Sequence, residues 1–312
     1  MINISKQYIK TPFWNVAGLF TNDVDFLNLF NFLHQNEIKN PITCVYGSIQ
    51  SQFEGGRTRL STLPLEDCID IIYQYNNLGI SCRLILSNHL INGNMLKNDK
   101  KINDLLLFMA NNNSTYPHIK NGVTITLDSI AKYIKTYYPN LELVCSVIRP
   151  AIEVGWGKET IEYYNNLLSK YDYVVVNAGK VKNIDFIKQL QHKEKIEVIV
   201  NSRCELNCPL SKEHYNIVAA RALADSDFKL NLLAIKEKAL WKQCVKNRAE
   251  CYVLSGSNFS EQEINDLLKI NINHFKMEGR EWPVRVLMRD FGDYIFDSAK
   301  LNRIFRKMGY LY

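Results

Sequence analysis

Short runs of Val, Ile and aromatic residues alternate along the chain with amphipathic stretches that carry apolar residues at three- and four-residue spacing. The apolar runs predict β-strands, and several are continuous enough to be covered on both faces of a sheet. The eight predicted strands are Phe13–Leu19, Ile42–Ser48, Cys82–Ser87, Gly122–Thr126, Leu141–Ile148, Tyr173–Asn177, Ile196–Asn201 and His274–Glu278. The amphipathic stretches predict helices at Val24–His34, Leu65–Asn77, Asn103–Met109, Ser129–Tyr138, Glu159–Tyr171 and Asp185–His192.

This alternation predicts an α/β fold, a TIM-like (β/α)8 barrel that occupies residues 1–312 as a single domain. An open, doubly wound sheet is the alternative, because periodicity does not distinguish a closed sheet from an open one. The strand count favours the barrel, and no glycine-rich dinucleotide fingerprint follows the first strand. Residues 203–273 form an enlarged connection between the seventh and eighth strands, with helices predicted at Leu230–Val245 and Glu261–Leu268. Long loops on the carboxyl-terminal face of such barrels usually carry function.

Composition narrows the class of protein only slightly. A hydrophobic content of 46% and a charged content of 22% are typical of a folded globular chain. Lys and Arg exceed Asp and Glu by 38 − 32 = 6, a mild excess that is compatible with an RNA or a phosphorylated small molecule as substrate. The polar start of the chain and the short apolar runs predict neither a signal peptide nor a membrane span, and hence a cytoplasmic location. Thiols stay reduced there, so the eight cysteines are expected to be core residues and metal ligands.

Four of these cysteines are candidates for a metal centre. Cys204 and Cys208 directly follow the seventh strand, and Cys244 and Cys251 lie in the same long connection. Four thiolates can hold a tetrahedral zinc ion or an iron–sulfur cluster, so all four are predicted metal ligands. The alternative is that the second pair packs in a helix or strand core. Cys44 is a possible substitute, since its strand ends at the same face of the predicted barrel.

Charged residues gather after two other predicted strands. Lys276, Glu278 and Arg280 stand at the end of the eighth strand, where Lys276 and Glu278 are predicted to do acid–base work and Arg280 to bind an anion. An ion-pair network that closes the barrel is the alternative. Tyr46 ends the second strand and Arg57 follows a glycine pair after it, so both are predicted to bind substrate, although a solvated turn would have the same pattern.

Two further positions complete the predicted site. Asn177 follows the sixth strand, where barrel enzymes place binding groups, and is predicted to contact substrate. His214 follows the cysteine segment and is predicted to be catalytic, with packing of a helix face as the alternative. The chain contains no H-E-x-x-H, G-x-S-x-G or phosphate-binding-loop motif, so metalloprotease and serine hydrolase functions have no support.

The segment Val200–Pro209, followed by His214 and Tyr215, resembles the cysteine segment of peptidase family U32, the collagenase-like proteins. His274–Arg280 resembles that family's strand-eight signature, and the stretches around Tyr46 and Gly55-Gly56-Arg57 are similar to its second-strand region. The resemblance implies a TIM-like barrel in which four cysteines hold a 4Fe–4S cluster. The implied ligands here are Cys204 and Cys208 with two of Cys244, Cys251 and Cys44.

The activities that the resemblance implies are oxygen-independent hydroxylation of ubiquinone precursors, hydroxylation of RNA bases with prephenate as a suspected hydroxyl source, and peptide hydrolysis. We therefore predict an iron–sulfur barrel enzyme that modifies an RNA base or a small aromatic or anionic substrate, with zinc as the alternative metal. A peptidase is the second hypothesis. The third is a non-catalytic subunit of a complex, since related proteins work as heterodimers, and a hetero- or homo-oligomer is compatible with all three.

Overall fold

The computed structural model describes residues 2–55, 62–202, 204–251, 258–279 and 283–309, and of residues 245–251 it describes the backbone alone. The described strands are β1 Phe13–Ala17, β2 Ile42–Gly47, β3 Ser81–Leu86, β4 Gly122–Ile125, β5 Glu142–Cys145, β6 Tyr173–Val176, β7 Ile196–Ile199 and β8 His274–Met277. The described helices are α1 Asp23–Gln35, α2 Leu65–Asn77, α3 Gly93–Asn98, α4 Lys100–Thr115, α5 Asp128–Tyr137, α6 Ile148–Glu153, α7 Ile161–Lys170, α8 Ala178–Val181, α9 Ile184–Gln189, α10 Ser211–Ala222, α11 Asp227–Cys251, α12 Glu261–Lys269, α13 Val284–Tyr294 and α14 Ser298–Lys307.

The eight strands form one closed barrel in sequence order, with every neighbouring pair parallel. Closure is made by β1 and β8, which pair in parallel from Phe13 opposite His274 to Val16 opposite Met277. The predicted TIM-like barrel is therefore confirmed, and the open, doubly wound alternative is wrong. Since all strands run the same way, their carboxyl ends and the loops that follow them meet at one mouth.

The two faces of the barrel wall have different compositions. Alternate strand residues point outward and pack against the helices in the main hydrophobic core, among them Trp14, Leu84 and Phe275. Inward-facing positions are partly charged: Arg83 Nη1 on β3 lies 2.6 Å from Glu197 Oε2 on β7, a bond that crosses the barrel interior. Barrel interiors are more often filled by branched apolar side chains. The apolar strand pattern therefore reports the outer face of the wall.

Three helices, α10, α11 and α12, occupy the long connection between β7 and β8. Helix α11 packs mainly against α10 and so stands outside the ring of helices that covers the strands. Helix α12 begins at a capping box in which Ser260 and Glu263 satisfy each other's backbone N–H groups. The helices predicted in this connection at Leu230–Val245 and Glu261–Leu268 agree with α11 and α12.

Most predicted strand ends lie within two residues of the observed ones, and the fifth strand has the largest difference. The fifth strand was predicted to continue to Ile148, whereas β5 ends at Cys145 and α6 begins at Ile148. The Ser146 hydroxyl oxygen accepts a hydrogen bond from the Ile148 N–H, and this local bond starts the turn. Within the described ranges no helix has the length and apolar character needed to cross a membrane.

Candidate functional site

A small pocket opens among the carboxyl ends of four strands. It has a volume of about 30 Å³, and its lining includes Asn177 after β6, Ser202 after β7 and Glu278 after β8, with Val147 from the turn after β5. We call it the mouth pocket. Its position is the one at which barrel enzymes assemble their catalytic groups.

A larger pocket of about 260 Å³ lies beside it, between the loop after β7 and helices α10 and α11. Its lining includes three predicted ligands, Cys204, Cys208 and Cys244, together with His214 and Trp241. We call it the thiol pocket. The two pockets share a wall formed by Trp156, Cys204, Glu205 and Tyr215. The helix pair α10 and α11 thus brings a distant cysteine, Cys244, to the segment that carries the other two.

The neighbouring thiols act electrostatically on Cys208. Burial is the main cause that raises the pKa of Cys208 to about 11, and Cys204 and Cys244 contribute to this rise. No three Cys, His, Asp or Glu side chains, of those that the structure describes, are arranged to hold a single metal ion. The donors are therefore soft and share one pocket, but they do not converge on one point.

The cysteine loop is fastened to the end of β6 by Asn207, the residue before Cys208. Asn207 has a left-handed backbone, with φ of +56°, a conformation that Asn tolerates better than most residues. Its side-chain oxygen accepts a hydrogen bond from Asn177 Nδ2 at 3.1 Å. A Cβ on Gly179 would lie only 2.3 Å from that oxygen, so any larger residue there would force the Asn207 side chain to move.

Asn177 holds this region from a second direction. Its Nδ2 also lies 3.2 Å from Glu159 Oε1, and its side-chain oxygen accepts a bond from the Gly179 N–H that caps α8. The predicted substrate-binding residue thus borders the mouth pocket and positions the cysteine loop. Contact between Asn177 and a substrate stays a prediction.

Two other predicted residues, Lys276 and Tyr46, lie inside the barrel below the mouth. Lys276 Nζ is 3.4 Å from Glu197 Oε1 and 4.0 Å from the centre of the Tyr46 ring, an ion pair and a cation–π contact. The Tyr46 hydroxyl donates a hydrogen bond to the Met277 carbonyl oxygen at 2.8 Å. The ion-pair network proposed as the alternative for this region therefore exists, and Lys276 belongs to it.

Glu197 is the centre of that network. Besides its two cations it accepts a bond from Asn15 Nδ2 at 2.6 Å, and it is fully buried. Burial alone would raise the pKa of this carboxyl group, but the charges of Arg83 and Lys276 outweigh burial and lower it to about 2. The barrel interior therefore holds a permanently ionised carboxylate between two cations.

Glu278 borders the mouth pocket, and Asn201 fixes its backbone. The Glu278 N–H donates to Asn201 Oδ1 at 2.8 Å, and Asn201 Nδ2 donates to the Glu278 carbonyl oxygen at 3.1 Å. Asn201 Nδ2 also lies 2.9 Å from Asp290 Oδ2 on α13. One amide thus joins the ends of β7 and β8 to a surrounding helix.

The remaining predictions fall in two groups. Arg57, Arg280 and the Cys251 side chain lie outside the described residues. Cys44 is buried in the barrel wall, where burial raises its pKa to about 12, and it does not line the thiol pocket. Sequence reasoning missed Trp156, Glu205, Asn207, Arg83 and Glu197. Only the last two left a signal, a charged residue in the middle of an apolar strand.

Comparison with known proteins adds evidence on the fold. No family model matches the sequence, and no curated protein matches it. A solved structure described as that of the U32 peptidase Mk0906 is similar, with a TM-score of 0.50 and 12% sequence identity over 89% of this chain and 96% of that one. The chain has the fold of a U32 peptidase. The sequence resemblance to family U32 is thus matched by a likeness in three dimensions.

A second structure, GH5_18 from Bifidobacterium longum subsp. longum, is 12% identical over 55% of this chain and 45% of that one. Its TM-score is 0.23, too low to support any conclusion. At the identity found for the U32 peptidase, the likeness concerns the barrel fold and leaves the reaction open.

Proposed function

We propose that this chain is a U32-type barrel enzyme that binds an iron–sulfur cluster through Cys204, Cys208, Cys244 and Cys251. Its reaction would be oxygen-independent hydroxylation, or a related modification, of an RNA base or a small aromatic or anionic substrate. The observation that supports the proposal is the thiol pocket, in which two cysteines of the loop after β7 and one of α11 line the same space beside the mouth of the barrel. The fourth proposed ligand ends helix α11, the helix that carries Cys244.

The arrangement of the thiols favours a cluster over a single zinc ion. Zinc binds four donors around one centre, with sulfur at about 2.3 Å, so its ligands must converge closely. The described thiols line a pocket of about 260 Å³ without such convergence. Each thiolate of a cubane cluster binds a different iron atom, so its ligands stand farther apart.

The residues around the pocket have separable roles. Ligand thiols must lose their protons, so the raised pKa of Cys208 means that cluster binding releases a proton there. Trp156 and Tyr215 pack edge to face in the shared wall and would limit water on the side of the barrel mouth. When bound, the cluster would supply one-electron transfer.

Substrate would occupy the mouth pocket and the space above it. Glu278 borders this pocket and His214 the thiol pocket, and we assign proton transfer to these two side chains. Lys276 contributes positive charge from below, although Glu197 already neutralises part of it. Arg57 and Arg280 are proposed to bind the anionic part of the substrate on their sequence position alone.

The first test is iron and acid-labile sulfide analysis of anaerobically purified protein. We expect brown protein with iron and sulfide in equal amounts, and Cys204→Ala and Cys208→Ala variants that lose both while keeping the circular dichroism of the barrel. Cys68→Ala is the matched control, because Cys68 is buried on α2 and should leave the iron content unchanged. Zinc without sulfide, or iron that survives loss of both loop cysteines, would refute the cluster.

Peptide hydrolysis is a second candidate function, because the similar structure is that of a peptidase and Cys204 shares a pocket with His214. A thiol beside an imidazole is a common nucleophile and base. If this function is the correct one, metal-free protein cleaves gelatin, and Cys204→Ala and His214→Ala each abolish cleavage. Cleavage that survives either substitution would come from a contaminating protease.

A further inference from the structure

Helix α11 exposes an unusual amount of apolar surface. The large hydrophobic side chains exposed along it are Phe228, Leu230, Leu232, Ile235 and Trp241. Phe228 is 76% exposed and Ile235 66%. Phe228, Leu232 and Ile235 share one side of the helix, whereas Leu230 and Trp241 lie on the other, where Trp241 lines the thiol pocket. An exposed apolar patch such as the first marks an interaction site more often than it marks chance.

Two opposite faces of the helix have different surroundings. The inner face, which lies toward α10 and the thiol pocket, includes Glu237, Leu240 and Cys244, and Glu237 forms an ion pair with Arg221 of α10. The outer stripe comprises Phe228, Leu232, Ile235 and Ala239, all of them exposed. Its steps of four, three and four residues are those of the seam by which one helix packs along another. The inner face is used within the chain, and the outer stripe faces solvent.

We propose that the outer stripe packs antiparallel against the outer stripe of a second copy of this chain. The order of its side chains supports this occupant. In an antiparallel pair with its two-fold axis midway along the stripe, Phe228 faces Ala239 of the partner subunit, and Leu232 faces Ile235 of the partner subunit. The largest side chain of the stripe then meets the smallest, and the two-fold axis repeats this contact at the other end of the stripe, because an isologous interface pairs the same two positions twice. A parallel pair would set Phe228 against its own copy and leave a gap at Ala239.

The charges flanking the stripe favour the same direction. Asp227 begins the helix, and Asp225 lies two residues before it and pairs with Lys229 of the same chain, while Lys238 and Lys242 flank the middle of the helix. Antiparallel pairing places the two aspartates of one helix near the two lysines of the other, whereas parallel pairing places like charges together. Asp225 and Lys242 are equidistant from the two-fold axis, so they flank the same end of the seam.

The pairing has a consequence for the site, although it does not depend on the proposed function. The inner face of the same helix carries Cys244 into the thiol pocket. A helix held on both faces is more rigid than one held by α10 alone, so the second copy would fix one wall of that pocket.

The test is the mass of the purified full chain by light scattering and sedimentation over a concentration series. We expect twice the chain mass of 36.2 kDa. Ile235→Lys should raise the dissociation constant at least about a hundredfold, because the charge enters the interface twice. Leu107→Lys is the matched control: Leu107 is an exposed leucine on α4, outside the stripe, and its substitution should leave the dimer intact. Circular dichroism checks that both variants are folded.

A swap of the end residues tests the direction and the occupant. Ala239→Phe alone sets two Phe rings against each other and should weaken the dimer, while Phe228→Ala with Ala239→Phe restores the large-against-small pairing and should recover it. A different protein as occupant would give a monomeric wild-type chain, which overturns the proposal. So would an Ile235→Lys variant that remains dimeric, or a double swap that is weaker than Ala239→Phe alone.

Discussion

Replacing Glu197 by Gln should destabilise the barrel more than any surface charge substitution. The change keeps the size of the side chain but removes its charge. Arg83 and Lys276 would then lose the carboxylate that they share, Arg83 would keep only its electrostatic interaction with Glu142, and an arginine cannot lose its proton to escape this cost. The network closes across the barrel, so its loss affects the cooperative unit as a whole.

The contacts set the magnitude. With an effective dielectric constant of about 20, opposite unit charges 2.6 Å apart attract by about 6 kcal/mol, before the cost of removing both ions from water is subtracted. Removal of one partner from a buried pair costs about 3–5 kcal/mol, and we expect that loss for Glu197→Gln. Replacement of the whole network, as Arg83→Met/Glu197→Leu/Lys276→Met, should recover most of the loss, because the carboxyl group that remains nearby, Glu142, has a pKa that burial raises to about 7 and can become neutral.

Urea unfolding followed by circular dichroism measures the effect. For a chain of this size the midpoint should fall by about 1 M, given a slope of roughly 3 kcal/mol per molar urea. Asp266→Asn is the control: Asp266 pairs with Lys269 at the surface, their side chains are 46% and 56% exposed, and the loss of this pair should cost below about 1 kcal/mol. If Glu197→Gln unfolds at the same urea concentration as Asp266→Asn, the argument from burial is refuted.

Two further predictions concern the cysteine loop and acid stability. Gly179→Ala should displace Asn207 and reduce bound iron severalfold. Gly93→Ala is the control and should leave the iron content unchanged, because the nearest atom to a Cβ there is 3.7 Å away. Equal iron in both variants would show that contact between residue 179 and Asn207 does not position the cysteine loop. Burial lowers the pKa of His274 to about 4 from 6.5, so the folded state favours the neutral ring. Below about pH 6.5 the unfolded chain binds a proton at His274 that the folded chain does not bind. The free energy of unfolding should therefore fall by up to about 3 kcal/mol as the pH drops from 6.5 to 4. His274→Phe should flatten this dependence in urea titrations across that range, and an unchanged pH profile would show that another group is responsible.

The fold could be predicted because the outer face of each strand is a short apolar run, and eight such runs alternate with amphipathic helices. The closure of the sheet into a barrel leaves no local pattern in the sequence, because it depends on the pairing of β1 with β8, two strands that are far apart along the chain. Helices α3, α6 and α8 have four to six residues each, too few for a periodic pattern.

The candidate site could be predicted in part. Cys204, Cys208 and His214 are near one another in sequence, so one loop suffices to place them together. Cys244 reaches the same pocket only because α10 and α11 pack as a pair, which no local pattern encodes. The network of Arg83 and Glu197 likewise joins residues from opposite sides of the barrel. The sequence shows a charged residue in each of the two strands, but the contact between Arg83 and Glu197 forms only when the sheet closes.

The cysteines of the thiol pocket are held by two different parts of the fold, and this affects how an inorganic centre would enter the pocket. Cys204 and Cys208 sit on a loop bonded to the barrel through Asn207, whereas Cys244 sits on a helix whose main support is α10. In a chain that has not yet paired with a second copy, an outward movement of that helix would open the pocket without separating any pair of strands. A preassembled centre handed over by a carrier protein could therefore be inserted after the polypeptide has folded, and the order of maturation would be folding first and loading second.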